Sequence, residues 1–262
     1  MKIATWNINS VRLRLGLIEK LVEQEAPDVL CLQETKVIDE AFPRKALAAM
    51  GFEHQHICGM KSYNGVAILS RLPLDNPQIK HWQGKDDCRH IYATLPGDIE
   101  LHCVYVPAGG DLPDPALNDK FAHKLGFLDE MTAWWQQHKG AKHAILVGDM
   151  NIAPLEHDVW SHKQLLDVVS HTPIEVEKLL ALQASYHWVD AVRHFVPADQ
   201  KLYTWWSYRA ANWVTSNRGR RLDHIWITPS LKERLKAHQI VREARGWAPK
   251  PSDHVPVIVE LG

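Results

Sequence analysis

The chain has 262 residues, 45% of them hydrophobic and 23% charged, enough apolar material for a well-buried core in one large domain or two small ones. With 30 basic and 31 acidic residues the net charge is −1, which excludes a uniformly basic nucleic-acid coat and an acidic tail protein and directs attention to local patches. Cys31, Cys58, Cys88 and Cys103 show no C-x-x-C spacing, no apolar run approaches a membrane span, and a strand pattern begins almost at Met1 with no signal peptide ahead of it, so the expectation is a soluble, cytoplasmic protein with reduced thiols.

Lys2 to Ile8 alternates and is rich in β-formers, which predicts a strand ending in Trp6-Asn7-Ile8-Asn9. Ser10 is the expected N-cap of a helix in which Val11, Leu15, Ile18, Leu21 and Val22 recur at helical spacing. Pro27-Asp28 breaks it, and Val29-Leu30-Cys31-Leu32 reads as a buried strand ending in Gln33-Glu34-Thr35-Lys36. Strand, helix and a strand of the same character predict an α/β architecture. Residues 43 to 50 suit a short helix closed by Gly51, and Asn64-Gly65 a turn ahead of a strand over Val66 to Leu69. A loop and a polar stretch lead to Arg89. Strands over Ile91 to Leu95 and Leu101 to Val106 flank a hairpin turn at Pro96-Gly97-Asp98.

Residues 109 to 115 form a Gly/Pro/Asp-rich loop, and 117 to 138 the longest helical pattern, whose tandem Trp134-Trp135 suits core packing. The segment from Pro154 to His171 is irregular and rich in histidine, at a spacing that matches no metal-ligand pattern. Thr172-Pro173-Ile174-Glu175 is a capping box opening a helix to about Gln183. Tyr186 to Phe195 is a further helix or an edge segment. A strand over His224 to Thr228, a short helix from Pro229, and a strand over Val255 to Leu261 complete the chain. No linker or composition shift divides it, so one domain over residues 1–262 is expected.

The candidate chemistry centres on Ala144-Ile145-Leu146-Val147-Gly148-Asp149-Met150-Asn151. An apolar run suited to a strand buried on both faces stops at Gly-Asp-x-Asn, and residues i and i+2 of an extended chain point the same way. Asp149 and Asn151 therefore project together, able to orient a water or a metal or simply to close the strand with a turn. Gly148 leaves room for something to approach the backbone. Asn7, Glu34, Tyr105 and Asp253-His254 stand at other strand ends, and Arg221-Leu222-Asp223 just before one. Function gathers at such loop ends in open α/β sheets.

Trp6-Asn7-Ile8-Asn9, Leu32-Gln33-Glu34-Thr35-Lys36, Gly148-Asp149-Met150-Asn151-Ile152-Ala153, Arg221-Leu222-Asp223 and Ser252-Asp253-His254 together resemble the exonuclease III / apurinic-apyrimidinic endonuclease family, within the wider exonuclease–endonuclease–phosphatase superfamily. The resemblance spans nearly the whole chain in the same motif order. It implies a DNase I-like four-layer α/β sandwich: two packed mixed β-sheets flanked by helices, with the site where loops of both sheets meet. It implies a Mg²⁺-dependent DNA-repair phosphodiesterase, with Mn²⁺ as an alternative ion, acting as a monomer on double-stranded DNA at abasic sites and 3′ ends. By the same resemblance Glu34, with Asn7 and Asp253, holds the metal, since Mg²⁺ needs only one or two carboxylates among its oxygen ligands. Asp149 activates the attacking water, Asn151 holds that water or the phosphate, and Tyr105 donates to a phosphate oxygen. Asp223 orients His254 and favours its protonated form. Whether Asp149 or His254 takes the proton is left open by the sequence.

The window 201–222 holds Lys201, Arg209, Arg218, Arg220 and Arg221 among Tyr203, Trp205, Trp206, Tyr208 and Trp213, with no acidic residue. Cations for phosphates and flat rings for a displaced sugar or base suit nucleic acid, and Trp205, Trp213, Arg209, Arg220 and Arg221 are the expected substrate contacts. Trp206 has the alternative of lying in the core. Two positions depart from better-known relatives: Ala108-Gly109-Gly110 follows Tyr105-Val106-Pro107 where an amide side chain is expected, and Arg220 replaces a bulky apolar residue. The competing readings are a related enzyme acting on RNA, a phosphoinositide or another phosphoester, and a nucleic-acid-binding protein without catalysis.

Overall fold

The computed structural model describes every residue except Lys139 and Ala211, the latter inside the basic-aromatic window. In chain order the strands are β1 (Lys2–Asn7), β2 (Val29–Gln33), β3 (His54–Met60), β4 (Tyr63–Ser70), β5 (Asp75–Ile79), β6 (His90–Leu95), β7 (Ile99–Tyr105) and β8 (His143–Asp149). The two-residue pieces β9 (Val189–Asp190), β10 (Trp205–Trp206) and β11 (Gly219–Arg220) follow, then β12 (Asp223–Ile227), β13 (Leu235–Ile240) and β14 (Val257–Leu261). The helices are α1 (Leu15–Glu25), α2 (Arg44–Ala49), α3 (Asp119–Gln137), α4 (His162–Leu165), α5 (Pro173–Ser185) and α6 (Trp213–Ser216). One sheet runs β13-β14-β1-β2-β4-β3 and the other β5-β6-β7-β8-β12-β9, while β10 and β11 pair separately. Both six-stranded sheets are mixed: β1 is parallel to β2 and antiparallel to β14, and β8 is parallel to β7 and antiparallel to β12.

The apolar runs explain the layering. Successive residues of a strand face opposite sides, so a strand apolar throughout must be covered on both. Ile3, Val29, Cys31, Ile68, Ile91, Cys103, Val147 and Ile225 fill the space between the sheets. Their neighbours Ala4, Leu30, Leu32 and Leu69 turn outward against Ile18 and Leu21 of α1 and Leu47 of α2. On the far side Val104, Leu146 and Trp226 meet Phe127, Leu128 and Met131 of α3 and Leu179 and Leu182 of α5. Each such aliphatic or aromatic side chain contributes about 1.5–3 kcal/mol on burial. The result is the four-layer sandwich expected from the resemblance, with Trp135 fully buried. The Thr172–Glu175 capping box opens α5 as anticipated. None of the helices among the described residues is long and apolar enough to cross a membrane.

Several local expectations give way. Ser10 does not cap α1, which starts at Leu15. Instead the backbone N–H groups of Ser10 and Val11 donate to the carbonyls of Glu34 and Thr35, so the chain is still tied to the end of β2 there. Asn64-Gly65 lies inside β4, two residues past the turn, and the carbonyls of both hold the backbone of Lys36 and Thr35. The polar stretch after residue 74 contains β5, and β3 and β13 are strands without a legible pattern. Residues 186–195 supply the short edge piece β9.

Candidate functional site

The topology gathers the site. Because β1 and β2 are parallel, Asn7 and Glu34 emerge at the same end of their sheet, and β14, antiparallel to β1, is entered there through Ser252-Asp253-His254. Parallel β7 and β8 bring Tyr105 and Asp149 side by side, and antiparallel β12 places its first residue, Asp223, opposite Asp149. The chain turns sharply at these ends: Asn9, Glu34, Lys36 and Asn151 all adopt left-handed backbone conformations with φ between 46° and 53°. Such non-glycine residues are uncommon and gather where structure is held for function. Gly148 is indeed a place of close approach, but the neighbour is the protein itself: a Cβ there would lie 1.9 Å from the Val104 carbonyl oxygen.

Asp149 is the hub. Its Oδ2 accepts from Asn7 Nδ2 at 2.9 Å and Asn151 Nδ2 at 3.2 Å, and its Oδ1 from the Asn151 backbone N–H at 2.8 Å. His254 Nε2 faces Oδ2 at 3.7 Å, while His254 Nδ1 donates to Asp223 Oδ2 at 2.9 Å. Asp223 is in turn fixed by Thr204, whose hydroxyl donates to Oδ2 at 2.6 Å and accepts the backbone N–H groups of Leu222 and Asp223. Asn7, Asp149, Asp223 and His254 are all buried. Asn7 Nδ2 also reaches Glu34 Oε1 at 2.9 Å, so one carboxamide joins two carboxylates. The tryptophan indole of Trp6 and the hydroxyl of Ser252 tie the His254 segment to β1.

Charge sets the protonation states. Burial would lower the His254 imidazole, but the Asp223 and Asp149 carboxylates overcome it and push it up to about 10. Burial, with Asp223 adding to it against the opposing pull of His254, pushes Asp149 up to about 7. Burial would raise Glu34 too, yet the Lys36 ammonium and the Asn7 carboxamide hold it below its ordinary value. Tyr105 is pushed well up by burial and by Glu34 and Asp149, so its phenol keeps its proton. Arg89 lies over the Tyr105 ring at 4.7 Å.

The oxygen donors around Glu34 fit a hard cation. Lys36 Nζ already rests between Glu34 Oε2 at 2.7 Å and Asn9 Oδ1 at 2.6 Å, a compact positive charge in an all-oxygen nest. Asp253 stands one link further out, its Oδ1 accepting from Asn9 and its Oδ2 from Trp205 Nε1 at 3.0 Å. Asp149, Asp223 and His254 also converge, with ligand atoms within 4.8 Å of one another. That trio is a poorer metal site, because a histidine must be neutral to ligate and His254 is held as the cation.

The residues expected to contact substrate divide. Trp205 is half-buried beside Asp253 and pairs through its backbone with His254, and Arg220 lies 5.3 Å over its ring, anchored by Val169 O and Ser170 Oγ. Trp213 packs on buried Trp206, with Arg242 and Arg245 over its ring. Arg209 is exposed. Arg221 is not a surface contact: it is 2% exposed and paired with Asp158 at 3.0 Å and Asp190 at 2.7 Å. Sequence reasoning gave no role to Asn9, Lys36, Thr204 or Ser252, whose parts arise only from tertiary neighbours. The histidine-rich segment holds a pair, His162 Nδ1 to His171 Nε2 at 2.8 Å, with the other His171 nitrogen on the Ala153 carbonyl.

The pattern of the Endonuclease/Exonuclease/phosphatase family matches residues 4–254. The chain is 30% identical to the exodeoxyribonuclease III of Haemophilus influenzae, with both chains covered in full. Among solved structures, the 3′ phosphatase NExo from Neisseria bound to a product DNA hairpin superposes with a TM-score of 0.91 at 32% identity, covering 100% of this chain and 99% of that one. An AP endonuclease from Archaeoglobus fulgidus superposes equally well, with a TM-score of 0.91 at 31% identity and the same coverage. With the fold, the order of its motifs and the convergence of their side chains all in agreement, the chain belongs to the endonuclease/exonuclease/phosphatase family.

Proposed function

We propose that the chain is a DNA-repair nuclease, a hydrolase of the exodeoxyribonuclease III type that cuts phosphodiesters of duplex DNA at abasic sites and at 3′ ends and requires Mg²⁺. The names of its relatives support the class: an exodeoxyribonuclease III, an AP endonuclease and a 3′ phosphatase that holds DNA. The observation that carries the reading is the buried Asp149 carboxylate, clamped by Asn7 and Asn151 and faced by His254 Nε2 at 3.7 Å. A phosphodiester resists attack because it is an anion, so its hydrolysis needs an oriented water, a base and fixed positive charge.

In this reading Asp149 takes the proton of the attacking water as the new P–O bond forms and the P–O bond to one sugar oxygen breaks, the departing oxygen taking its proton from solvent water. A carboxyl pushed up to about 7 is matched to that task near neutral pH. His254, cationic between Asp223 and Asp149, donates from Nε2 to a phosphate oxygen and is not the base. Asn151 holds the Asp149 carboxylate in one orientation, and the Tyr105 hydroxyl donates to a second phosphate oxygen. Glu34 and Asn7, with Asp253 behind them, would hold Mg²⁺, or Mn²⁺ in its place, and the bound ion supplies positive charge against the phosphate. Trp205 and Trp213 offer flat faces to the nucleotide beside the cut, and Arg209 and Arg220 cations to its backbone. Arg220 reaches the substrate alongside Trp205, on which it is stacked.

Labelled duplexes carrying an abasic site, a blunt end or a 3′-phosphate, incubated with and without Mg²⁺, test the proposal. Metal-dependent cutting of these duplexes is expected. Inertness toward all of them, with turnover of RNA or a phosphoinositide, would overturn the substrate class. Full activity in excess chelator would overturn the metal.

A further inference from the structure

Behind the site lies a buried ion pair. Lys124, on α3, and Glu175, at the third position of α5, are both wholly buried, with Nζ 2.5 Å from Oε1. Stability alone is a weak reason for such a pair, because the cost of desolvating two charges rivals their attraction and a well-packed apolar pair often serves as well. What the ammonium holds is more telling. Its remaining hydrogens go to the carbonyl oxygens of Asn151 at 2.8 Å and Ala108 at 3.2 Å. The first lies in the turn after β8 and the second in the turn after β7, the two segments that carry Asp149 and Tyr105.

Asn151 needs that hold. Its backbone is left-handed, and in that conformation its N–H and Nδ2 both fall on Asp149 while Nδ2 also reaches the Val106 carbonyl at 2.9 Å. Glu175 is fixed by Ser170 and Thr172, so the ammonium has a rigid base. Ser170 also accepts from Arg220, which lies over Trp205, so the same carboxylate reaches the substrate side.

We infer that Lys124 and Glu175 are positioning residues for the hydrolytic step, locking the Asp149–Asn151 turn from behind. The inference rests on the nuclease reading only for its kinetic readout. Misplacing a supporting shell typically costs about 10- to 100-fold in activity. The double variant Lys124→Met/Glu175→Leu removes the charges together, leaving neither one buried alone. With its melting temperature near that of the unaltered protein, kcat on a cut duplex should fall about 10- to 100-fold while KM changes by less than about threefold. Glu175→Gln, which keeps one oxygen for the cap and replaces the other with an amide nitrogen that cannot pair with Lys124, is the second variant and should lower kcat in the same direction. Amide hydrogen exchange of residues 149–152 should quicken in both. A folded double variant with unaltered kcat and exchange overturns the inference, as does Glu175→Gln with both unaltered. If the unaltered protein cuts no duplex, the nuclease reading falls, and the exchange rates alone decide the positioning role.

Discussion

At the residue scale, the site is marked by a histidine that two carboxylates hold cationic near neutral pH. His254 lies between two carboxylates, and Asp223 is itself held by Thr204, so imidazole and carboxylate act as one unit. Asp223→Asn and His254→Asn should each lower kcat by about 10²- to 10⁴-fold, and the double variant little further. Penalties that simply multiply would show two independent groups. That these residues would meet was legible from sequence, because Asn7, Glu34, Asp149, Asn151, Asp223 and His254 all stand at strand ends, and the fold brings those ends together. The supports were not legible. Arg221 and Lys124 look like surface cations in a linear sequence, and only the partners Asp158, Asp190 and Glu175, distant along the chain, reveal them as buried.

At the element scale, β8 is the strand on which the site depends. Its Gly148, at φ 142°, lies so close to β7 that an added Cβ would meet backbone Val104 O and cannot be relieved by a side chain moving aside. Gly148→Ala should therefore destabilise the fold by at least about 3 kcal/mol, read as a shift of the denaturant midpoint. An unchanged midpoint would mean that β7 and β8 can separate without cost. Central strands such as β8 could be read because both faces are covered and the run is apolar throughout. The edge strands β3, β5 and β13 could not: β5 is exposed along its whole length and carries a proline, and β13 buries one residue in six. Asn64-Gly65 has the composition of a hairpin turn, yet its left-handed backbone serves a kink within β4 that meets the Glu34 loop.

At the scale of the whole molecule, buried titratable groups make stability depend on pH in two directions. Burial lowers His90, His102 and His224, the last to about 4, so below about 6.5 they bind protons less readily in the fold than in the unfolded chain. Their stabilisation is complete above that value and is lost as pH falls below it, for His224 as pH approaches 4. Asp149, raised by burial to about 7, works against them between about 4 and 7. His254 runs the other way at higher pH. Against the cost of burial, its two carboxylates raise it to about 10, so its contribution is complete below about 6.5 and is lost as pH rises toward 10. Unfolding free energy in metal-free buffer should peak near pH 6.5 and fall on either side, which denaturant titrations at stepped pH will follow. A flat profile between pH 4.5 and 9 would show that these groups feel the same surroundings folded and unfolded.

Tyr105, Asp149 and Asp223 lie opposite one another in a single cross-strand row, since Tyr105 pairs with Asp149 along β7–β8 and Asp149 with Asp223 along β8–β12. This restricts how the gene can change in length. Gaining or losing one codon within β7, β8 or β12 would shift that strand by one place, turn its inward residues outward, and take its member of the row out of the site. The turn at 61–62 and the loop at 109–118 lie outside the row and escape this register constraint. Insertions and deletions among descendants of this gene should therefore collect in such connections, while the three strands keep a fixed count of residues between the core and the row.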